Sequence, residues 1–185
     1  EGVEYISPIK FKNGLIFSSK ITNNGTYFYR LYYSEIIEKE ELEEPIELEV
    51  SSDDHFFHFV AGEYIEETDE FFFTANNTNR FSWQKNLAIY KAQIDDFVLK
   101  NIELLKICDS KFNYSQPTFS KDGLTMILST DEGGNYGLRE YKRSNVDEKW
   151  IMNRDLKELN FDDLVVYPKL INDSLLVFSS GLEGQ

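Results

Sequence analysis

The sequence predicts an all-β chain built from about four copies of one strand pattern. Three observations predict it. Short runs rich in aromatic and β-branched residues recur along all 185 residues. Clusters of Asn, Asp, Gly and Ser separate them, and these residues supply the positive φ angles that tight turns need. No segment sustains a 3.6-residue apolar period beyond about two turns, as an amphipathic helix requires.

The elements follow in order. Unit one (5–50) has Pro8-Ile9-Lys10-Phe11, a turn at Lys12-Asn13-Gly14, the strand GLIFSS over 14–19 and a second strand at Tyr29-Arg30-Leu31-Tyr32-Tyr33. The stretch Glu35–Glu44, EIIEKEELEE, is expected to be a loop or one short helix, since it runs into Pro45 and lacks an N-cap. Unit two (51–108) has Val60-Ala61-Gly62-Glu63-Tyr64, then Glu70-Phe71-Phe72-Phe73-Thr74, then Leu87-Ala88-Ile89-Tyr90. Unit three (109–160) has Pro117-Thr118-Phe119-Ser120, a turn at Lys121-Asp122-Gly123, Met126-Ile127-Leu128-Ser129-Thr130 and Leu138-Arg139-Glu140-Tyr141. Unit four (161–185) has Pro168-Lys169-Leu170-Ile171, Asn172-Asp173 and Leu176-Val177-Phe178-Ser179-Ser180, and stops inside its next turn. Outer strands, or the leads into them, are expected at Pro45-Ile46-Glu47-Leu48, Leu104-Leu105-Lys106-Ile107 and Lys157-Glu158-Leu159-Asn160.

The Phe or Leu before each Ser/Thr falls at Phe17, Phe73, Leu128 and Phe178, at intervals of 56, 55 and 50 residues. A period near fifty with several short strands per unit is the signature of a β-propeller blade. One small twisted sheet cannot bury both of its faces, whereas sheets stacked around an axis cover one another. The expectation is therefore a single segment, 1–185, of propeller-like units forming part of a larger ring.

Composition narrows the function. The net charge is −14, so the phosphate backbone of a nucleic acid would repel the chain. The 15% aromatic content argues against disorder. No apolar run approaches the ~18 residues of a membrane span. The opening EGVEYISPIKF has no charged-then-apolar leader pattern. Cys108 is the sole cysteine, so an internal disulfide and multi-cysteine metal sites are ruled out. No cofactor is expected.

Candidate sites are few. His55 and His58 follow Asp53 and Asp54, residue types that bind metals or move protons, but a spacing of three on a strand puts them on opposite faces. Ser18, Ser129 and Ser179 share one repeat position, which a structural role in blade-end turns explains and a nucleophile does not. The eight glutamates of 35–49 lack the spacing of a calcium loop and read as a solvated run. The Asn-x-Ser/Thr sequences at Asn24, Asn76, Asn113 and Asn172 read as turn chemistry. Two polar loops are the candidate binding elements. Loop 131–137 carries Asp131, Glu132 and Tyr136 and lacks the Gly-Lys-Ser/Thr of a phosphate loop. Loop 76–84 carries Arg80 and Trp83, residue types that commonly anchor partners.

The segment Gln116-Pro117-Thr118-Phe119-Ser120-Lys121-Asp122-Gly123, followed by Ile127-Leu128-Ser129-Thr130, resembles the PD40 motif, a WD40-like repeat also found in TolB-like proteins. Phe73-Thr74-Ala75-Asn76-Asn77 and Asn86-Leu87-Ala88-Ile89-Tyr90 resemble the corresponding strands of Bacteroidetes envelope proteins that join PD40 propellers to an OmpA-like domain. Phe178-Ser179-Ser180 with Gly184 resembles that family's Phe-Ser-Ser-x-x-x-Gly turn. The chain departs from the pattern at Val60-Ala61, where a proline is usual. It departs again after Gly133-Gly134, where the Asp of Asp-Leu-Tyr is missing. The resemblance implies a non-catalytic scaffold of the periplasm or outer membrane. Such a protein would bind a protein partner, or glycan or peptidoglycan, through rim loops. The alternative is a carbohydrate-active propeller: a glycoside hydrolase, which needs two carboxylates facing one pocket, or a glycan-binding module stacking sugars on Trp83 and Tyr136.

Overall fold

A computed structural model describes residues 4–37, 41–51, 56–77, 84–160 and 164–181. Among these the only regular elements are strands, grouped in four sheets that follow one another along the chain. The first sheet runs β1 (Tyr5–Phe11), β2 (Gly14–Asn23), β3 (Thr26–Glu35) and β4 (Ile46–Glu47) in sequence order. The second holds β5 (Glu49–Val50), β6 (Phe56–Ile65), β7 (Glu70–Asn77), β8 (Gln84–Asp95) and β9 (Val98–Leu104) in the order β5-β9-β8-β7-β6. The third runs β10 (Tyr114–Phe119), β11 (Thr125–Thr130), β12 (Gly137–Lys142) and β13 (Ile151–Asp155). The fourth pairs β14 (Val165–Asn172) with β15 (Leu175–Ser180). Every pairing is antiparallel except β5 with β9. Phe17, Phe73, Leu128 and Phe178 occupy the second long strand of their sheets, β2, β7, β11 and β15, so the sequence repeat and the strand repeat coincide.

Several expectations shift. The acidic stretch after β3 shows no helical turn in its described part. Ile36 bridges Leu42 antiparallel, and Glu43 N–H donates to Glu35 O at 3.0 Å. Residues 38–40 lie outside the described residues. The outer strands of the second and third sheets lie at Val98–Leu104 and Ile151–Asp155, earlier than 104–107 and 157–160. β9 pairs with β8 and the two-residue β5, and its apolar residues Val98, Leu99, Ile102 and Leu104 do not alternate; β13 pairs with β12 alone and is largely exposed. Ser18 and Ser129 are not in turns: both are buried inside strands, and Ser179 is exposed.

The first long strand of each sheet carries the same irregularity. Pairing slips by a bulge between Ile6 and Ile9, Phe57 and Val60, Ser115 and Thr118, and Val166 and Lys169. Each bulge contains one residue with positive φ: Ser7 (52°), His58 (51°), Gln116 (55°) and Tyr167 (55°). The following residue is Pro8, Phe59, Pro117 or Pro168. Phe59 is thus the counterpart of the prolines, which corrects the alignment that set Val60-Ala61 there. A bulge frees backbone groups from the ladder, and here the next N–H is taken up by a side chain of the preceding sheet. Ala61 N–H donates to Ser18 Oγ at 3.0 Å, Phe119 N–H to Glu63 Oε2 at 3.1 Å and Leu170 N–H to Thr118 Oγ1 at 3.0 Å. Glu63 also accepts from Lys169 Nζ at 2.6 Å, tying three sheets together. Pro8, Gly62, Pro117 and Pro168, one from each sheet, line a common cavity of about 210 Å3. A Cβ on Gly62 would lie 2.8 Å from Phe72 O and 2.9 Å from Pro117 Cγ, so only glycine permits this approach of β6 to β10.

The core lies between sheets. Phe11, Ile16, Leu31 and Tyr33 of the first meet Phe59, Phe71, Phe73 and Tyr90 of the second. Phe72 and Ile89, on the other face of the second, meet Tyr114, Phe119, Met126 and Leu128 of the third. Three consecutive phenylalanines are therefore fully buried on alternate faces, as a sheet covered on both sides demands. Each contributes roughly 1.5–3 kcal/mol by leaving water. Ile127, Leu138 and Leu156 of the third sheet meet Val165 of the fourth, with Leu170, Leu176 and Phe178 half-buried beside them. A buried ion pair adds to the second interface. Arg143 donates to both carboxylate oxygens of Glu70, to Gly123 O at 2.8 Å and to Val146 O at 3.0 Å. Its guanidinium lies 4.5 Å from the Trp150 ring centroid. Burial pushes the Glu70 carboxyl up, but the bonds from Arg143 and Thr68 and the charges of Arg143 and Lys91 outweigh it and hold it below its ordinary value.

Candidate functional site

Antiparallel order puts the β2–β3 and β11–β12 connections at the same end as the starts of β1, β6, β10 and β14. Contacts join that end into one rim. Arg30 Nη1 donates to Phe56 O at 3.1 Å, Leu87 N–H to Asn113 Oδ1 at 3.0 Å, and Val165 N–H to Tyr136 O at 3.0 Å.

The loop carrying Asp131, Glu132 and Tyr136 is a hairpin tip between β11 and β12. Gly133 (φ 131°) and Gly134 (φ 110°) make its reversal, angles that side-chain-bearing residues rarely adopt. Its acids are structural acceptors. Asp131 takes bonds from Asn113 N–H and Nδ2, both at 2.7 Å. Glu132 accepts from Tyr114 Oη at 2.7 Å and is ion-paired with Arg139, which also donates through Nε to Asp155 at 2.6 Å. Burial works against the Arg139 charge, but Asp155 and Glu132 outweigh it and raise its pKa. Burial first, and the bond to Glu132 second, raise the Tyr114 phenol. Burial and the Asp131 charge likewise raise Tyr136. Glu132, Tyr136, Arg139, Asp155, Lys157 and Asn160 line a recess of about 220 Å3. That is below the ~300–1,000 Å3 of ordinary ligand pockets. It admits a single side chain or sugar residue.

Of the other predicted residues, Arg80, Trp83 and His55 lie outside the described residues. His58 is described, and its setting is aromatic. Its ring centroid is 5.8 Å from that of Tyr27 and 6.2 Å from that of Tyr29, two residues that alternate onto one face of β3. Tyr27 is 52% exposed. The Lys20 ammonium sits 4.8 Å from the Tyr27 centroid and 3.2 Å from Glu4, which also accepts from Tyr29 Oη at 3.1 Å. The bond from Lys20 lowers the Glu4 pKa, and the same bond raises that of Lys20. This ring cluster went unread in the sequence. The signal was present in the Tyr-x-Tyr alternation at 27–29, but its nearness to His58 depends on how the first two sheets pack.

Among the described residues no group of three or more His, Cys, Asp or Glu is placed to hold a metal. No described helix is long and apolar enough to cross a membrane. No protein-family model matches the chain, and no curated protein sequence matches it.

Proposed function

We propose that this protein is a non-catalytic binding and scaffolding segment of a β-propeller in the bacterial cell envelope, recognising a protein partner through its rim loops. The propeller reading is supported by four successive sheets that repeat one bulge at positive φ on their first long strand. It is supported too by the cavity that Pro8, Gly62, Pro117 and Pro168 share. Further sheets would complete the ring. The periplasmic or outer-membrane setting rests on the PD40 and OmpA-family resemblance.

One observation carries the non-catalytic reading. Glu132 and Asp155, the carboxylates of the rim recess, share the Arg139 guanidinium, and Glu132 also holds the Tyr114 hydroxyl. An acid and a base poised for hydrolysis need free access to a substrate proton. These two are clamped by one cation. The recess is charge-balanced, Glu132 and Asp155 against Arg139 and Lys157, while the chain's net charge of −14 suits a basic or neutral partner face.

The test immobilises the chain in an envelope extract at varied salt, followed by mass spectrometry. A few salt-sensitive proteins above a charge-matched control, reduced by Tyr136→Ala, support the proposal. Retention of glycan alone, or of nothing, overturns it. The Tyr27–Tyr29–His58 cluster, in which Tyr27 is exposed and the other two are half-buried, favours a second reading, glycan binding by ring stacking, which loss of glycan retention in Tyr27→Ala would support.

A further inference from the structure

The dipeptide Asn-Gly occurs at Asn13-Gly14 and at Asn24-Gly25, in each case at the tip of a hairpin of the first sheet. An asparagine side-chain amide before glycine is open to attack by the next backbone nitrogen, because no Cβ crowds that nitrogen. By sequence the two sites are equals. Their surroundings differ. At the first tip the amide is locked. Asn13 Nδ2 donates to Glu35 Oε1, and Asn13 Oδ1 accepts from Tyr33 Oη at 3.0 Å. Asn13 O accepts Ile36 N–H at 3.0 Å, so the Asn13–Gly14 peptide plane cannot turn without losing that bond. Gly14 is buried and paired with Phe11 on one side and Glu35 on the other.

At the second tip Asn23 pairs with Thr26, and Asn24 and Gly25 form the exposed loop. The Asn24 carboxamide has no partner among the described residues. A Cβ on Gly25 would meet nothing within 4 Å beyond its chain neighbours. With φ of 49° at Asn24 and 78° at Gly25, the turn is type I′. Type II′, the other favoured two-residue hairpin turn, keeps positive φ at its first central residue only. The Asn24–Gly25 peptide plane can therefore flip from one form to the other while β2 and β3 stay paired. That flip swings the Gly25 nitrogen toward Asn24 Cγ.

We infer that Asn24 is a site of spontaneous deamidation and that Asn13 is protected from it. The Gly25 amide gives its proton to solvent base, and its nitrogen bonds to Asn24 Cγ. The Cγ–Nδ2 bond breaks, and ammonia leaves with a proton returned by water. A water molecule then opens the cyclic imide at either carbonyl, leaving aspartate or isoaspartate. Either product adds a negative charge to the rim. Isoaspartate also routes the main chain through the side-chain methylene, which breaks the two-residue loop and displaces the exposed Tyr27. The inference stands on turn geometry and holds whichever partner the rim takes.

The test stores the 185-residue chain at neutral pH, folded and in denaturant, and follows its tryptic peptides by mass spectrometry. Cleavage after Lys12, Lys20 and Arg30 puts Asn13 and Asn24 on separate peptides, and fragment ions tell Asn24 from Asn23. In the folded chain Asn24 should gain the mass of amide-to-acid conversion at least about tenfold faster than Asn13, since freeing Asn13 breaks several hydrogen bonds. In denaturant the two rates should converge to within a few-fold. The double change Tyr33→Phe with Glu35→Ala should speed Asn13 several-fold in the folded chain. Equal rates at the two sites in the folded chain would overturn the inference. So would an Asn24 that stays intact while the denatured chain converts, or an Asn13 rate unmoved by the double change.

Discussion

The interface between the second and third sheets and that between the third and fourth are built on one plan with different fillings. Both join a bulged first strand to the sheet before it. Both use a side chain of that sheet to satisfy a freed N–H. At the first, the Phe72 and Phe119 rings meet tilted at 31° with centroids 4.2 Å apart, and Arg143 is buried against Glu70. At the second the buried apolar residues are aliphatic, and Leu170, Leu176 and Phe178 remain half-exposed. The hydroxyls show the same divergence. Thr74 accepts Gln116 N–H at 3.1 Å across the first interface. Across the second, Gln116 Oε1 takes Tyr167 N–H at 2.9 Å, and Ser129 Oγ is left buried with no partner. The repeat therefore preserves the demand for an acceptor but not the residue that meets it.

Breaking the ion pair is expected to have the largest effect. Arg143→Ala strands a buried carboxylate and should cost about 3–5 kcal/mol in denaturant unfolding. The double change Glu70→Leu with Arg143→Met should recover part of that loss, since no buried charge is left, although Gly123 O and Val146 O lose their donor. Phe72→Ala should cost a similar ~3–5 kcal/mol, whereas Phe178→Ala, half-exposed, should cost less than about 2 kcal/mol. Equal costs would mean that the two interfaces are alike in strength despite their different fillings.

Acid offers a second probe of the same contrast. The folded Glu70 carboxyl lies below its ordinary value of about 4.3, so the stability it contributes is present above that value. It is lost as pH falls through the lower folded value. Unfolding midpoints should therefore drop steeply below about pH 4, and Arg143→Ala should flatten that drop. A slope unchanged in the variant would assign the acid sensitivity to other carboxylates. The smallest effects sharpen the hydroxyl comparison. Ser18→Ala leaves the Ala61 N–H buried and unpaired and should cost about 1–3 kcal/mol. Ser129→Ala removes an oxygen that bonds nothing and should shift stability by less than about 0.5 kcal/mol, or raise it.

The strands that fill the core were legible because burial on both faces makes near-continuous apolar runs, as in Phe71-Phe72-Phe73 and Met126-Ile127-Leu128. The outer strands at 98–104 and 151–155 were not, because Lys100-Asn101 interrupts the apolar run of the first and the second is exposed along most of its length. The bulges were hidden for another reason. Ser, His, Gln and Tyr occupy the positive-φ position, so backbone geometry repeats there while residue type does not. In the candidate site, the acidic loop at 131–137 was readable from its turn residues. That Asn113, Arg139 and Tyr114 would occupy its acids was not, because those partners come from other strands.

Cys108 follows β9, just beyond the second sheet. Its thiol lies against residues of both neighbouring cores and accepts Ile89 N–H at 3.5 Å. Burial pushes its pKa up to about 12. Alkylating reagents attack the thiolate, so in the closed molecule at neutral pH this sulfur is close to unreactive. The chain thus carries a single built-in probe. Cys108 is half-buried, so the rate at which an added alkylating agent marks it reports how far its surroundings hold the thiol protonated and covered, with no introduced label to perturb them.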